Sequence, residues 1–306
     1  MSLSSKLATL SKCLKNLLRN PRESVRKLAG SPEPARAADV VRQREATGQY
    51  DSQANAASRV RGAEFARQWQ ANSNSQFLES CAALRAEDNS PNPLRAYFDA
   101  VKEGPGVWKW LHYFEAYHRH LHKFVGRPVT VVEVGIYSGG SLQMWRHYFG
   151  QDCRVHGVDI QETCKAYEDL HTTIHIGDQA DRAFWKRFRK SVPAVDVLID
   201  DGGHQPEQQM VTLEEMLPHL RPGGVYICED VHGIGNQFAA FAHSLADELN
   251  VFVPVLQPVL ASMPTALQAA VNSVHFYPFV VAIEKREFPL TSFSAPKQGT
   301  RWQQFT

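Results

Sequence analysis

Between residues 129 and 283 the chain alternates short apolar runs with helical patterns, and this constrains its fold more than any other feature. Residues 129–134 are β-branched at five of six positions, the pattern of a strand covered on both faces inside a parallel sheet. Residues 155–158, 173–176, 195–199 and 225–228 repeat the theme, while 141–148, 181–190, 206–220 and 237–249 carry helical spacing between them. Such alternation predicts a doubly wound α/β sheet. Two last apolar runs, 275–277 and 279–283, are separated only by Pro278. No crossover helix fits in that gap, so these strands should pair antiparallel and bring the sheet to seven strands.

At 306 residues the chain can bury one large core with an appendage. A formal net charge of +1 gives no general bias toward nucleic acid or an acidic membrane. The five cysteines form no CxxC pair and their number is odd, which argues against a disulfide framework and for a reducing, cytoplasmic setting. Residues 249–283 lack Asp, Glu, Lys and Arg, yet four prolines and several amides interrupt them, so no transmembrane segment is expected.

The composition divides the chain into four parts. Residues 1–30 hold seven Lys/Arg against one acid, with Leu3, Leu7, Leu10, Leu14 and Leu17 on one helical stripe. That stripe suits a helix packed on a partner subunit (a homo-oligomer included), a membrane-surface helix, or an organelle-targeting segment. Residues 31–93 are polar and partly helical in pattern, an appendage or linker without a compact core. The main domain spans 94–290 and a tail follows at 291–306. The main domain opens with the apolar positions Val107, Trp108, Trp110, Leu111, Phe114, Tyr117, Leu121 and Phe124, which have helical spacing. His112, His118, His120 and His122 in this segment read as a solvated face, with His112 near a cleft.

Ligands of an open α/β sheet sit beyond the carboxyl ends of its strands, so those ends are the place to search. The first is followed by Glu133-Val-Gly135-Ile-Tyr-Ser138-Gly139-Gly140, a tight turn that lets a ligand approach backbone at a helix start. The second ends at Asp159, where a carboxylate can accept both hydroxyls of a ribose. The third ends in Asp178-Gln179, within reach of an adenine edge. The fourth and fifth end in Asp200-Asp201-Gly-Gly-His204 and Glu229-Asp230. Adjacent carboxylates on neighbouring strands repel in a dry cleft unless a cation or shared proton neutralises them. Asp201, Glu229 and Asp230 offer hard oxygens suited to Mg²⁺ or another divalent cation. His204, three residues after Asp201, has the chemistry to remove a hydroxyl proton.

The stretches KWLHYFEAY, VTVVEVGIYSGGSLQMW, VHGVDI, IGDQAD, VDVLIDDGGH, LRPGGVYICED and VHFYPFVVAIEK together resemble class I S-adenosylmethionine-dependent methyltransferases. The likeness is strongest to the metal-dependent O-methyltransferases of macrolide sugars, the mycinamicin and macrocin type. That resemblance implies a Rossmann-like methyltransferase sheet with an antiparallel last strand. Glu133, Gly135, Ser138 and Gly139 would hold the methionine part of S-adenosylmethionine. Asp159 would take the ribose, Asp178 and Gln179 would flank the adenine, and Asp200 would close the pocket. Asp201, Glu229 and Asp230 would ligate Mg²⁺, and His204 would be the general base. Two regions depart from the pattern: residues 231–237 lack an aromatic-rich run, and the N-terminal segment matches nothing in the family.

The expected activity is methyl transfer to a hydroxyl of a sugar or glycosylated small molecule, with no nucleic acid partner. A phenolic or catechol-like acceptor and a non-catalytic cofactor-binding scaffold are the rival readings. Iron-dependent hydroxylation is disfavoured, because the oxygen-rich set lacks the paired histidines of a facial triad.

Overall fold

The computed structural model describes residues 52–72, 92–233, 235–251 and 263–301. The basic stripe of 1–30, most of the polar stretch 31–93 and the proline-interrupted residues 252–262 lie outside the described residues. The chain separates into two compact units, Met1–Asn89 and Ser90–Thr306. In the first, α1 (Ser52–Asn72) is a helix of 21 residues whose positions 56–68 are exposed. Among the described residues, no helix is long and apolar enough to cross a membrane.

The second unit is built on a seven-stranded sheet of order β3-β2-β1-β4-β5-β7-β6. Its strands are β1 (Val129–Val134), β2 (Cys153–Asp159), β3 (Thr172–Ile176), β4 (Val195–Asp200), β5 (Leu220–Cys228), β6 (Val271–Tyr277) and β7 (Val280–Lys285). The first five pair in parallel, and β7 runs antiparallel to both β5 and β6. The short gap at Pro278 does turn one strand back on the other, with Tyr277 opposite Val280. The helices are α2 (Pro93–Ala100), α3 (Tyr113–Leu121), α4 (Gly140–Phe149), α5 (Arg182–Ser191), α6 (Pro206–Met216), α7 (Gln237–Leu249) and α8 (Ala266–Ala270). Strand order reverses between β1 and β4, which opens a crevice at their carboxyl ends.

Alternate side chains of β1 feed opposite cores. Val131 packs in the cluster of Trp145 and Phe149 from α4, while Val132 and Val134 join that of Phe184, Trp185 and Phe188 from α5. Each such side chain contributes about 1.5–3 kcal/mol when removed from water. Asp181 starts α5 by accepting from the Ala183 amide, which fixes the rotation that turns its three aromatics inward. This two-sided burial explains why the strands read as apolar runs rather than as alternations.

Two local expectations change. Residues 107–110 are not helical; α3 begins only at Tyr113. The segment passes instead as an irregular strap, with Lys109 and Trp110 drawn to Asp201 and Asp230 at the strand ends and Trp108 85% exposed. His120 is buried rather than solvated. Its Nδ1 lies 2.6 Å from Glu284 Oε1 and its Nε2 2.9 Å from the Tyr277 hydroxyl, clasping α3 to the β6–β7 pair.

The clasp makes a pH prediction. The hydrogen bond to His120 lowers the Glu284 pKa, against burial and with help from Lys123, to about 2. A depressed carboxylate contributes stability that is complete above the ordinary carboxylate range and is lost as pH falls toward about 2. The group is partly exposed, so the contribution is discounted to about 1–2 kcal/mol. Urea unfolding should find Glu284→Gln destabilised by that amount at neutral pH, with the gap to wild type closing in acid. A gap independent of pH would mean the carboxylate charge does not matter there.

Candidate active site

Beyond β1 the backbone turns through Gly135 (φ +84°) and Gly139 (φ +74°) into α4. A Cβ on Gly135 would lie 2.0 Å from the Asp201 carbonyl oxygen, so the ends of β1 and β4 meet with no room for a side chain. A Cβ on Gly140 would meet the carbonyls of Pro105 and Gly106 at 2.5 Å, which shows the strap crossing the start of α4. Between strap and strand ends lies a cleft of about 890 Å³, within the range of cofactor-sized pockets. Ser138, Asp159, Asp178, Asp201, His204, Glu229 and Asp230 line it, together with Lys109, Trp110 and Tyr113.

The far end of the cleft is densely charged. Lys109 Nζ sits 2.6 Å from Asp201 Oδ2, 3.0 and 3.1 Å from the two Glu229 oxygens and 3.6 Å from Glu133 Oε1. Burial alone lowers the pKa of this ammonium, but attraction to Glu229, Asp201 and Glu133 outweighs it and holds the group well above its ordinary range. Burial and then repulsion from Asp201 push the Glu229 carboxyl well upward, with Lys109 opposing. Asp230 accepts from the Tyr113 hydroxyl at 2.7 Å and from Trp110 Nε1 at 3.1 Å. His204 Nε2 lies 3.5 Å from Asp230 Oδ2 and 4.0 Å from Asp201 Oδ1, while its Nδ1 is buried without a hydrogen-bond partner. Tyr137, His204 and Asp230 all have positive φ. Three non-glycine residues in this backbone region around one cleft mark a site where strain is retained for placement of side chains.

These observations converge with what the chain is similar to. Residues 132–231 match the family model described as "Methyltransferase domain". That match runs from within β1 to just past β5 and takes in the strand ends that line the cleft. Among curated proteins, the 8-demethyl-8-alpha-L-rhamnosyl tetracenomycin-C 2'-O-methyltransferase of Streptomyces olivaceus is 31% identical over 207 residues, covering 61% of this chain and 53% of that protein. The demethylmacrocin O-methyltransferase of Streptomyces fradiae is 36% identical over 132 residues, 40% of this chain and 33% of that one. The chain thus spans about half the length of the first relative and a third of the second. Among solved structures, the MycE methyltransferase of the mycinamycin biosynthetic pathway, in complex with Mg and SAH, superposes with a TM-score of 0.52 at 25% identity. The match covers 64% of this chain and 55% of that one. The sheet is accordingly the Rossmann-like sheet of methyltransferases.

Within the matched region the expected site residues separate into wall and support. Ser138, Asp159 and Asp178 stand on the cleft wall, with Gly135 and Gly139 shaping the turn. Asp159 Oδ2 accepts from the Ile136 amide at 2.8 Å and the Tyr137 amide at 3.4 Å, and Oδ1 accepts from the Gln161 amide, which leaves a lone pair on Oδ1. Glu133 and Asp200 were expected against the cofactor but lie beneath the floor, both fully buried. Glu133 Oε2 accepts from Ser141 at the start of α4, and Asp200 accepts from Gln179 Nε2 and the Tyr226 hydroxyl. Burial raises the Asp200 pKa to about 6. Gln179 also reaches the wall, yet its amide is taken up by Asp200, Thr212 and the Gly203 N–H, so it braces the β3 and β4 ends rather than presenting to an adenine.

The proposed ligand triad is regrouped too. The acidic and imidazole ligand atoms that lie within 4.8 Å of one another here belong to Asp201, His204 and Asp230. Glu229 turns both oxygens to Lys109. Two carboxylates with His204 Nε2 beside them form a donor set that fits a divalent ion. Lys109, Trp110 and Tyr113 carry no role in the sequence reading, although a lysine between two tryptophans in an apolar stretch is the signal that could have found the first.

Proposed function

We propose that the chain is an S-adenosylmethionine-dependent O-methyltransferase, assisted by a divalent cation such as Mg²⁺, that acts on a hydroxyl of a sugar or glycosylated small molecule. One observation carries the reading: the cleft at the β1 glycine turn runs without interruption into the Asp201, His204 and Asp230 cluster. Both similar proteins are named O-methyltransferases, one of a rhamnosyl tetracenomycin-C and one of demethylmacrocin, which supports the acceptor class. Bound S-adenosylmethionine supplies the methyl group, and a bound divalent cation supplies positive charge that eases loss of a hydroxyl proton.

The chain's own residues do the rest. Ser138 and the turn at Gly135 and Gly139 hold the methionine part, Asp159 receives the ribose hydroxyls, and Asp178 borders the base. Glu133, Asp200 and Gln179 keep those walls in register from beneath. Asp201 and Asp230, with Glu229 behind them, hold the cation. His204 takes the hydroxyl proton at Nε2, a contribution of about 10²- to 10⁴-fold. Trp108 and Tyr137, exposed at the cleft mouth, give a flat apolar rim for the part of the acceptor that does not react. A cytoplasmic enzyme agrees with the three unpaired, buried thiols of Cys153, Cys164 and Cys228.

Calorimetry with S-adenosylmethionine, with and without EDTA, tests the reading. Cofactor binding that survives EDTA, with methyl transfer that does not, is the expected result; no cofactor binding at all rejects it. A labelled-cofactor screen over sugars, glycosides and phenols separates the proposed acceptor from a phenolic one. Asp201→Asn should weaken Mg²⁺ binding at least about tenfold and spare cofactor affinity, as measured by titration of each. Unchanged metal affinity would remove Asp201 from the ligand set.

The closeness of His204 Nε2 to both aspartates supports a second assignment, in which the imidazole is itself a ligand. Metal affinity of His204→Ala discriminates: retained for a base, lost for a ligand.

A further inference from the structure

One buried ammonium faces three carboxylates, and it arrives on a segment that belongs to no helix or strand. The Lys109 side chain is 2% exposed, Glu229 1% and Glu133 0%. Charges this deep are retained only when paired. Two of the three partners, Asp201 and Glu229, are also residues to which the proposed function gives the cation. The neutralising charge that the crowded strand ends demand is therefore already present in the chain.

We propose that Lys109 is the resident counter-ion of the cleft carboxylates and competes with the divalent ion for Asp201 and Glu229. In the metal-free protein it keeps the two strand ends together that would otherwise repel. When the ion enters, Lys109 shares those oxygens with it, and its positive charge beside the site holds the affinity down, so that the ion stays exchangeable. Geometry allows the sharing at Asp201. Asp201 gives Lys109 its Oδ2, whereas Oδ1 is the oxygen on the His204 side. Asp230 is bound to Trp110 and Tyr113 instead and makes no contact with the ammonium among the described hydrogen bonds. Lys109 is thus a positioning residue that sets metal affinity, and this rests on the metal-assisted reading above.

The test is a calorimetric titration of Mn²⁺ or Mg²⁺ into the full chain without acceptor, so that turnover is not the readout. Lys109→Met should bind the ion at least tenfold more tightly than wild type, and its thermal unfolding should rise more on adding the ion. Lys109→Arg, which keeps the charge, should stay near wild type. Because Lys109→Met leaves three carboxylates unpaired, the double variant Lys109→Met/Glu133→Gln removes one charge of each sign and serves where the single one does not fold. Equal or weaker binding in these variants, with wild type still binding, overturns the counter-ion role and leaves the metal reading standing. Binding by the Met variants alone supports a lysine that outcompetes the ion altogether. No binding by any form overturns both. If neither Met variant folds even in millimolar Mg²⁺, the ion does not do the work of the lysine and the proposal falls.

Discussion

His204→Ala is expected to lower methyl-transfer turnover by about 10²- to 10⁴-fold, with the rate recovering as pH rises. The size follows from the loss of one positioned proton acceptor, and the recovery from hydroxide taking its place in solution. The backbone argues that the imidazole is held for a purpose. His204 has φ +57°, a region that costs a non-glycine residue on the order of 1–3 kcal/mol, and it follows two glycines at the end of β4. Its Nε2 points to the carboxylate side, 3.5 Å from Asp230 and 4.0 Å from Asp201. Initial rates over a pH series, with cofactor and metal affinities measured on the same variant, check the prediction. A wild-type rate at neutral pH rejects the base. A lost metal affinity moves His204 among the ligands.

Gly135→Ala should cost on the order of 3 kcal/mol or more of stability and abolish cofactor binding. Two separate effects add at this position. The left-handed φ of +84° disfavours any L side chain by about 1–2 kcal/mol. The new Cβ would also stand 2.0 Å from the Asp201 carbonyl oxygen, and backbone does not yield as a flexible side chain does. Neither strand end is free to move: the Gly135 amide donates to the Val158 carbonyl at 2.8 Å, and the Asp201 amide to the Val134 carbonyl at 3.0 Å. Relief must therefore come from parting β1 and β4, the walls between which the cleft opens. Gly104→Ala is the control, since φ is +93° there and a Cβ meets nothing within 4 Å. Urea denaturation should show a loss near 1 kcal/mol for Gly104→Ala and a much larger one for Gly135→Ala. Equal losses would show that the close approach of the strands carries no weight.

Much of the fold could be read directly from local pattern. Five β-branched positions in six over 129–134 are what burial on both faces requires, and the cores on either side of β1 supply those faces. Helix ends were less legible: 206–220 reads as one helix, but α6 stops at Met216 because Leu220 already pairs with Val195 in the sheet. The periodicity of 107–124 misleads in the same way. Val107 and Trp110 are spaced like a helix face, yet Trp110 is in place for Asp230 and the cleft.

The sequence by itself determined the alternation of strands and helices, the antiparallel turn at Pro278, the glycine turn, and the strand ends that carry Asp159, Asp178, Asp201, His204 and Asp230. Each of these is a local property, fixed by side-chain period or by the position just past an apolar run. Tertiary structure alone decided which strand-end carboxylates face the cleft and which support it, and what neutralises them. Glu133 and Asp200 have the same local signature as Asp159, but both are buried below the floor, Glu133 against Ser141 and Lys109 and Asp200 against Gln179 and Tyr226. Lys109 meets Asp201 across 92 positions of chain and Glu229 across 120. Charge pairing over such separations leaves no periodic trace, because it depends on how whole elements dock and not on the residues beside each charge.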